Sequence, residues 1–279
     1  MDTLLVRRGS KRRIADKIIP LFPKHDMYIE LFFGAGGMFF RKPKAKYNIC
    51  NDLDDDIFNL FLVLQDEEQR KKLYDYMKLV PYSESLLKHW KKTQETDAIR
   101  KAGRFLFLSN YTYMATGESL NYDCSDNSKQ IILDGIRSLD DGFLVDIKFL
   151  NSDFRRVIKS CSASIRRDDR NVFHRLFIYA DPPYLGTDGA YSTSWSEKDT
   201  TELFEYLDNY ATKNFDDGGN NINFAISEFD SDKILELSER YNLYITEIGE
   251  RRNLHNRRTE ILITNYDTAE INRNYLIKN

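Results

Sequence analysis

The chain has 279 residues, 41% hydrophobic and 30% charged, with a formal net charge of −3. That balance suits a globular protein of one large domain or two unequal ones and excludes an intrinsically disordered chain. No apolar run is long enough to span a bilayer, the basic start lacks an apolar signal segment, and the three cysteines stand apart, so a cytoplasmic setting is expected, without a disulfide scaffold or a metal centre.

Residues 11–22 place Ile14, Ile18, Ile19 and Phe22 at helical spacing, which predicts a basic amphipathic helix ending near Pro23. Residues 27–33 read as a buried strand running into Gly34-Ala35-Gly36-Gly37. Glycines at a strand-to-helix turn let a ligand approach the backbone, although a plain tight turn explains them equally well. Phe39 stands where a dinucleotide fingerprint would have its third glycine, which favours a cofactor without a pyrophosphate. Residues 47–50 form a second strand leading to Asp52, an acid placed either to bind ribose hydroxyls or to cap the next helix. Residues 55–80 read as helical.

Residues 71–143 read as an inserted, mostly helical subdomain between two parts of an α/β domain, 1–70 and 144–279. Helices are expected over 83–93 and 98–108, followed by a polar stretch with Asn110, Tyr111, Tyr113 and Asn121 and a loop or hairpin tip. Asn reads base edges and Tyr packs on bases or sugars, but surface loops are also polar without such a role. The α/β pattern resumes over 143–152 and ends in Asp153-Phe154, a carboxylate and ring suited to an adenine, or simply a helix cap and a core residue. Further on, residues 198–213 and 231–240 read as helices and 222–226 as a strand. Residues 243–248 and 260–266 read as a closing antiparallel pair at the sheet edge, joined by a basic segment.

Basic residues cluster at Arg7, Arg8, Arg12 and neighbours, at Arg155-Arg156, at Arg166-Arg167 with Arg170, and at Arg251, Arg252, Arg257 and Arg258. Any one cluster is commonly a solvated face, but together they favour contact with a phosphate backbone despite the acidic total.

The strand over 177–180 stops at Asp181-Pro182-Pro183-Tyr184. Two prolines force the chain out of the sheet as a stiff corner at a carboxyl strand end, where open α/β sheets bind ligands. An exocyclic amine on a base is a poor nucleophile because its lone pair is delocalised. Asp181 Oδ and the Pro182 carbonyl form an acceptor pair suited to draw such a nitrogen toward tetrahedral geometry, with Tyr184 stacking on the base.

The glycine loop, Glu30-Leu31-Phe32-Phe33-Gly34-Ala35-Gly36, the insert, and then Asp181-Pro182-Pro183-Tyr184 follow the motif order of the Dam-like, or D12, class of adenine-N6 DNA methyltransferases, and the chain resembles that family along nearly its whole length. The resemblance implies a Rossmann-like sheet with helices on both faces and a helical target-recognition insert. It implies S-adenosylmethionine as cofactor, held by Glu30, Phe32, Gly34, Ala35 and Gly36, by Asp52, and by Asp153, Phe154 and Asp181. Arg7 and Lys11 fall in the N-terminal cofactor motif, Lys11 at its final lysine. Asp181, Pro182 and Tyr184 would be catalytic toward a flipped-out base. Arg8, Arg12, Asn110, Tyr111, Tyr113, Asn121, Arg251, Arg252, Arg257 and Arg258 would contact double-stranded DNA. The chain departs from the family pattern at Arg7, where a tryptophan is usual, at Ser10 for a glycine, and at Leu31 for a proline. The insert also lacks the Asn-Pro hairpin of enzymes that read GATC. A monomer is expected, in a bacterial, archaeal or virus-infected cell, with a restriction endonuclease as a possible companion. Cytosine N4, RNA adenine N6 or a protein glutamine as target, and a non-catalytic nucleic-acid-binding relative, stay open at this stage.

Overall fold

The computed structural model describes residues 4–5, 11–123, 125, 127–139, 142–162, 164–167, 170–185, 195–216, 222–252 and 257–271. Its strands are β1 (Met27–Glu30), β2 (Tyr47–Asn51), β3 (Ile147–Leu150), β4 (Ser164–Arg167), β5 (Arg170–Phe173), β6 (Leu176–Ala180), β7 (Ile222–Phe229), β8 (Tyr244–Arg252) and β9 (Arg257–Thr264). Its helices are α1 (Ala15–Ile18), α2 (Asp55–Gln65), α3 (Glu67–Leu79), α4 (Glu84–Trp90), α5 (Ala98–Asn110), α6 (Ser128–Arg137), α7 (Phe154–Ser160), α8 (Glu197–Asp216) and α9 (Asp232–Arg240).

The main sheet has seven strands in the order β3-β2-β1-β6-β7-β9-β8. The first five of these are parallel, and β9 pairs antiparallel with both β7 and β8. The expected closing hairpin at the sheet edge is therefore present. Strand order reverses between β1 and β6, and such a reversal opens a crevice at the carboxyl ends. This is the expected Rossmann-like sheet with helices on both faces.

Alternation along the central strands fills two cores. Tyr28, Cys50, Phe177, Tyr179, Ala225 and Leu262 face a layer built by α2 to α6. Ile29, Ile178, Ile226 and Ile263 face α7, α8 and α9. Burial on both faces explains why β6 is apolar at every position rather than alternating. The insert helices share the first core with the sheet instead of enclosing one of their own, and the expected domain boundary at residue 70 falls inside α3.

Several local expectations are corrected. Residues 11–22 form two short 3₁₀ turns flanking α1, because Ile19-Pro20 cannot continue an α-helix. The helical stretch over 55–80 breaks at Asp66, whose extended backbone ends α2 and whose carboxylate caps α3 through the Gln69 N–H at 2.8 Å. The glycine loop leads into a single 3₁₀ turn at Phe39–Arg41 rather than a helix. Helix α6 and the β4–β5 hairpin were not expected. β8 and β9 extend well into the basic segment that reads as a loop. No helix among the described residues is long and apolar enough to cross a membrane.

Candidate active site

The carboxyl ends of β1, β2, β3, β6 and β7 bring the predicted residues to one edge of the sheet. After β1 the chain turns at Gly34 and Gly36, with φ of 54° and 69°, a region that side-chain-bearing residues rarely adopt. The space over Gly34 is open, with nothing within 4 Å of an added Cβ, whereas a Cβ on Gly36 would run into Phe40 and Phe33. One glycine thus leaves room for a ligand and the other is required by packing. The Gly34 N–H donates to Asp52 Oδ2 at 2.7 Å, and Asp52 Oδ1 accepts from the Asp54 N–H at 2.9 Å. Asp52 therefore braces the glycine loop from the end of β2, while Asp54 is the residue that caps α2.

Beyond β3, Asp153 and Phe154 are the helix cap and core residue that one of the two readings expects. Asp153 caps α7 through the Arg155 N–H at 2.8 Å and pairs with the Arg155 guanidinium at 2.9 Å, with 43% of its side chain exposed. Phe154 is buried and meets Phe32 and Trp195 at ring-centroid distances of 5.7 Å each. Trp195 also stands edge-on to Phe32 at 5.4 Å. This aromatic group includes Trp195, a residue that the sequence did not single out. Its signal was a tryptophan immediately before Ser196 and the start of α8, too weak to read alone.

Glu30 lies under the loop at 2% exposure, its Oε2 accepting from the Tyr28 hydroxyl at 2.8 Å. Burial pushes its carboxyl up to about 8 against the opposing effect of that hydrogen bond. Lys42 is buried as well, with its ammonium 4.0 Å from the Tyr28 ring centre, and burial brings it down to about 8.

At the end of β6, Asp181 meets a residue from the start of the chain. The Lys11 ammonium is 2.6 Å from Asp181 Oδ1 and 3.0 Å from Glu260 Oε1 on β9. Lys11 also donates to the Tyr184 hydroxyl, which in turn donates to Glu260 Oε1 at 2.5 Å. Tyr184 is 6% exposed and packs edge-on against Phe229 at 4.6 Å. Lys11, placed by sequence in a cofactor motif, thus stands directly against the Asp-Pro-Pro-Tyr corner. Glu260 was missed because a single acid inside an apolar strand carries no sequence signal of what it faces. Glu228, on β7, is likewise buried. Its Oε1 accepts from the Phe229 N–H at 3.0 Å, its Oε2 has no hydrogen-bond partner among the described residues, and burial pushes its carboxyl up to about 8.

The expected DNA-contacting residues divide. Tyr113 is 60% exposed on a tight turn closed by the Thr112–Leu120 bridge. Asn121 is half-buried beside it and accepts from the Asp123 N–H through Oδ1 at 3.3 Å. Asn110 and Tyr111 are corrected: both are buried, and the Asn110 amide donates to the Leu4 and Leu106 carbonyls at 3.2 and 2.9 Å, because they end α5 facing the first core. Arg12 sits half-exposed on the first 3₁₀ turn. Arg258 reaches the Leu185 carbonyl at 3.3 Å and lies 5.7 Å from the Phe229 ring, next to the Asp-Pro-Pro-Tyr corner. Arg251, Arg252 and Arg257 have their backbones in the closing hairpin, with side chains outside the described residues, and Arg7 and Arg8 lie outside them altogether. Among the described residues no group of acids, histidines and cysteines is arranged to hold a metal ion.

Two curated relatives match most of the chain. Modification methylase StsI of Streptococcus sanguinis is 24% identical over 95% of this chain and 43% of its own length. Type II methyltransferase M.FokI of Planomicrobium okeanokoites is 23% identical over 92% of this chain and 42% of its own length. The chain therefore spans less than half the length of each of these relatives. The family model for D12 class N6 adenine-specific DNA methyltransferases matches residues 8–254, and the chain belongs to that family.

Proposed function

We propose that this chain transfers a methyl group from S-adenosylmethionine to N6 of an adenine extruded from double-stranded DNA, at a specific sequence. The observation that carries the reading is the position of Asp181. It follows β6 as Gly34 follows β1, two paired parallel strands on either side of the sheet's reversal point, in a chain that matches the family from its first basic cluster to its closing hairpin.

The residues present fit the cofactor. Gly34 leaves open space, Asp52 offers carboxylate oxygens for hydroxyls, and Phe32, Phe154 and Trp195 offer aromatic walls for a purine. When bound, S-adenosylmethionine supplies a methyl group made electrophilic by its sulfonium. The protein's part is orientation and charge. Asp181 and the Pro182 carbonyl accept the two amine hydrogens and turn the nitrogen lone pair toward the methyl group. Carboxylates beside that nitrogen stabilise the positive charge it gains. Tyr184, tethered through its hydroxyl, presents its ring to the extruded base, whose removal from the stack costs a few kcal/mol. Arg12, Tyr113, Asn121 and Arg258 contact the duplex. A companion restriction endonuclease fits the naming of the two relatives.

The test is expression in a host without DNA methylation, followed by single-molecule sequencing. N6-methyladenine at one recurring sequence, absent with Asp181→Ala, is the expected result. N4-methylcytosine, or full modification by Asp181→Ala, would overturn the reading.

A further inference from the structure

One carboxylate oxygen is linked to both ends of the Asp-Pro-Pro-Tyr corner, to Tyr184 directly and to Asp181 through Lys11. Glu260 Oε1 receives the Tyr184 phenol at 2.5 Å and the Lys11 ammonium at 3.0 Å, and Lys11 passes on to Asp181 Oδ1 at 2.6 Å. We propose that Glu260 is a positioning residue of the transfer site: it anchors Lys11 and Tyr184, and through Lys11 it fixes which way the Asp181 carboxylate faces. The proposal deepens the reading above and rests on it.

An aspartate carboxylate turns broadly about its last bond, so it needs a fixed partner to hold one orientation. A lysine ammonium ends a flexible four-carbon stem with three rotatable donors and does not supply that fixity by itself. Glu260 does. It is 1% exposed and sits on β9, in register with Phe229 of β7. That end of the strand pair is pinned by Asp230 N–H to the Thr259 carbonyl at 3.0 Å and by Thr259 N–H to Asp230 Oδ1 at 3.0 Å. The arrangement also grades outward. Lys11 and Glu260 side chains are 2% and 1% exposed, whereas 20% of Asp181 still reaches solvent. The buried groups stand behind the corner and the aspartate stands in front. Because Lys11 is shared between two carboxylates, its charge does not cancel Asp181 alone. The cluster keeps a negative surplus beside a nitrogen that becomes cationic.

The experiment measures single-turnover methyl transfer and steady-state KM for DNA. It uses the full chain, a DNA substrate carrying the site mapped in the host experiment, and Glu260→Gln, which keeps the shape and an acceptor oxygen. The expected result is a folded variant with cofactor and DNA affinity within roughly 3-fold of the parent and a transfer rate lower by about 100-fold, the size of loss that small misplacement produces. Lys11→Met also lowers the rate, and the double variant with Glu260→Gln loses less than the product of the two single losses, because the glutamate acts in part through the lysine. A transfer rate equal to the parent's in Glu260→Gln, or losses that multiply in the double variant, would overturn the proposal. Should Glu260→Gln melt below the assay temperature, Tyr184→Phe keeps the ring and removes only the hydroxyl that Lys11 and Glu260 both hold. A parental rate in that variant overturns the proposal, and a reduced rate at unchanged KM supports it. The parent assayed in parallel separates the two failures. A parent that modifies no DNA fails the functional reading, whereas an active parent with an equally active Glu260→Gln fails only this inference.

Discussion

The Lys11 ammonium and Asp181 Oδ1 stand 2.6 Å apart although the two residues lie in opposite halves of the chain. The contact closes the start of the protein onto the carboxyl end of β6. Lys11→Met would leave Asp181 and Glu260 facing each other without their shared cation. Loss of one partner from a buried ion pair costs about 3–5 kcal/mol, mostly because a buried charge is left uncompensated. Urea denaturation of the variant should show a loss of that size. The loss should shrink when Glu260→Gln is added, since one of the stranded charges then disappears. A Lys11→Met chain as stable as the parent would show that the cation does not hold this cluster together.

Stability should fall as the solution becomes more alkaline between pH 5 and 8. Burial raises the Glu30 and Glu228 carboxyls from 4.5 to about 8 in the folded chain, against opposing hydrogen bonds from Tyr28 and the Phe229 N–H. In that window the unfolded chain gives up protons that the folded chain keeps. The contribution is thus complete below about pH 4.5 and is lost as pH rises through the folded-state value. Each group contributes a slope of at most about 1.4 kcal/mol per pH unit. Glu228→Gln removes one titration, so its melting temperature should decline less steeply than the parent's from pH 5 to pH 8. Parallel declines would show that Glu228 titrates normally in the fold.

The two turn glycines should respond differently to a methyl group. Gly36→Ala places a Cβ against Phe40 and Phe33 at a φ of 69°, so packing and backbone strain add, for a loss of roughly 2–4 kcal/mol. Gly34→Ala meets only the backbone strain, about 1–2 kcal/mol, because nothing lies within 4 Å of its new Cβ. Its methyl instead enters the open space proposed for the cofactor. Titration calorimetry with S-adenosylmethionine should therefore show weakened binding in folded Gly34→Ala. Unchanged affinity would place the cofactor away from the loop.

What the sequence revealed depended on range. β6 was legible because it is apolar at every position and runs into two prolines, and the sheet edge because two runs rich in isoleucine and threonine stand near the end of the chain. Helix α6 was not read. Ile132, Leu133 and Ile136 do repeat at helical spacing, but Gly135 breaks the pattern, and only the structure shows that this glycine makes room for Leu4. Asp181 and Tyr184 were legible as a motif because they are contiguous. Glu260 and Glu228 were not, because each is a lone acid in a strand whose meaning comes from Lys11, Asp181 and Tyr184 across the fold. Asn110 and Tyr111 misled for the converse reason. Their residue types suit base reading, but they lie on the buried side at the end of α5, where Asn110 holds the Leu4 and Leu106 carbonyls.

That contrast gives a test of the insert. Asn110→Ala should cost about 1–3 kcal/mol, since it removes two buried side-chain hydrogen bonds, and DNA affinity measured below its melting temperature should match the parent's. Tyr113 is 60% exposed, next to Met114 and Ala115, whose φ values of 52° and 55° are strained for residues with side chains. Strain of this kind persists where the surroundings hold it, often at a binding surface. Tyr113→Ala removes no buried contact, so its stability should stay within about 0.5 kcal/mol of the parent's. If the turn meets DNA, losing a ring that can stack should weaken binding by roughly 1–3 kcal/mol, read from fluorescence anisotropy on duplexes carrying the mapped site. Binding unchanged in Tyr113→Ala but weakened in Asn110→Ala would reverse the two roles and move the DNA contact off this turn.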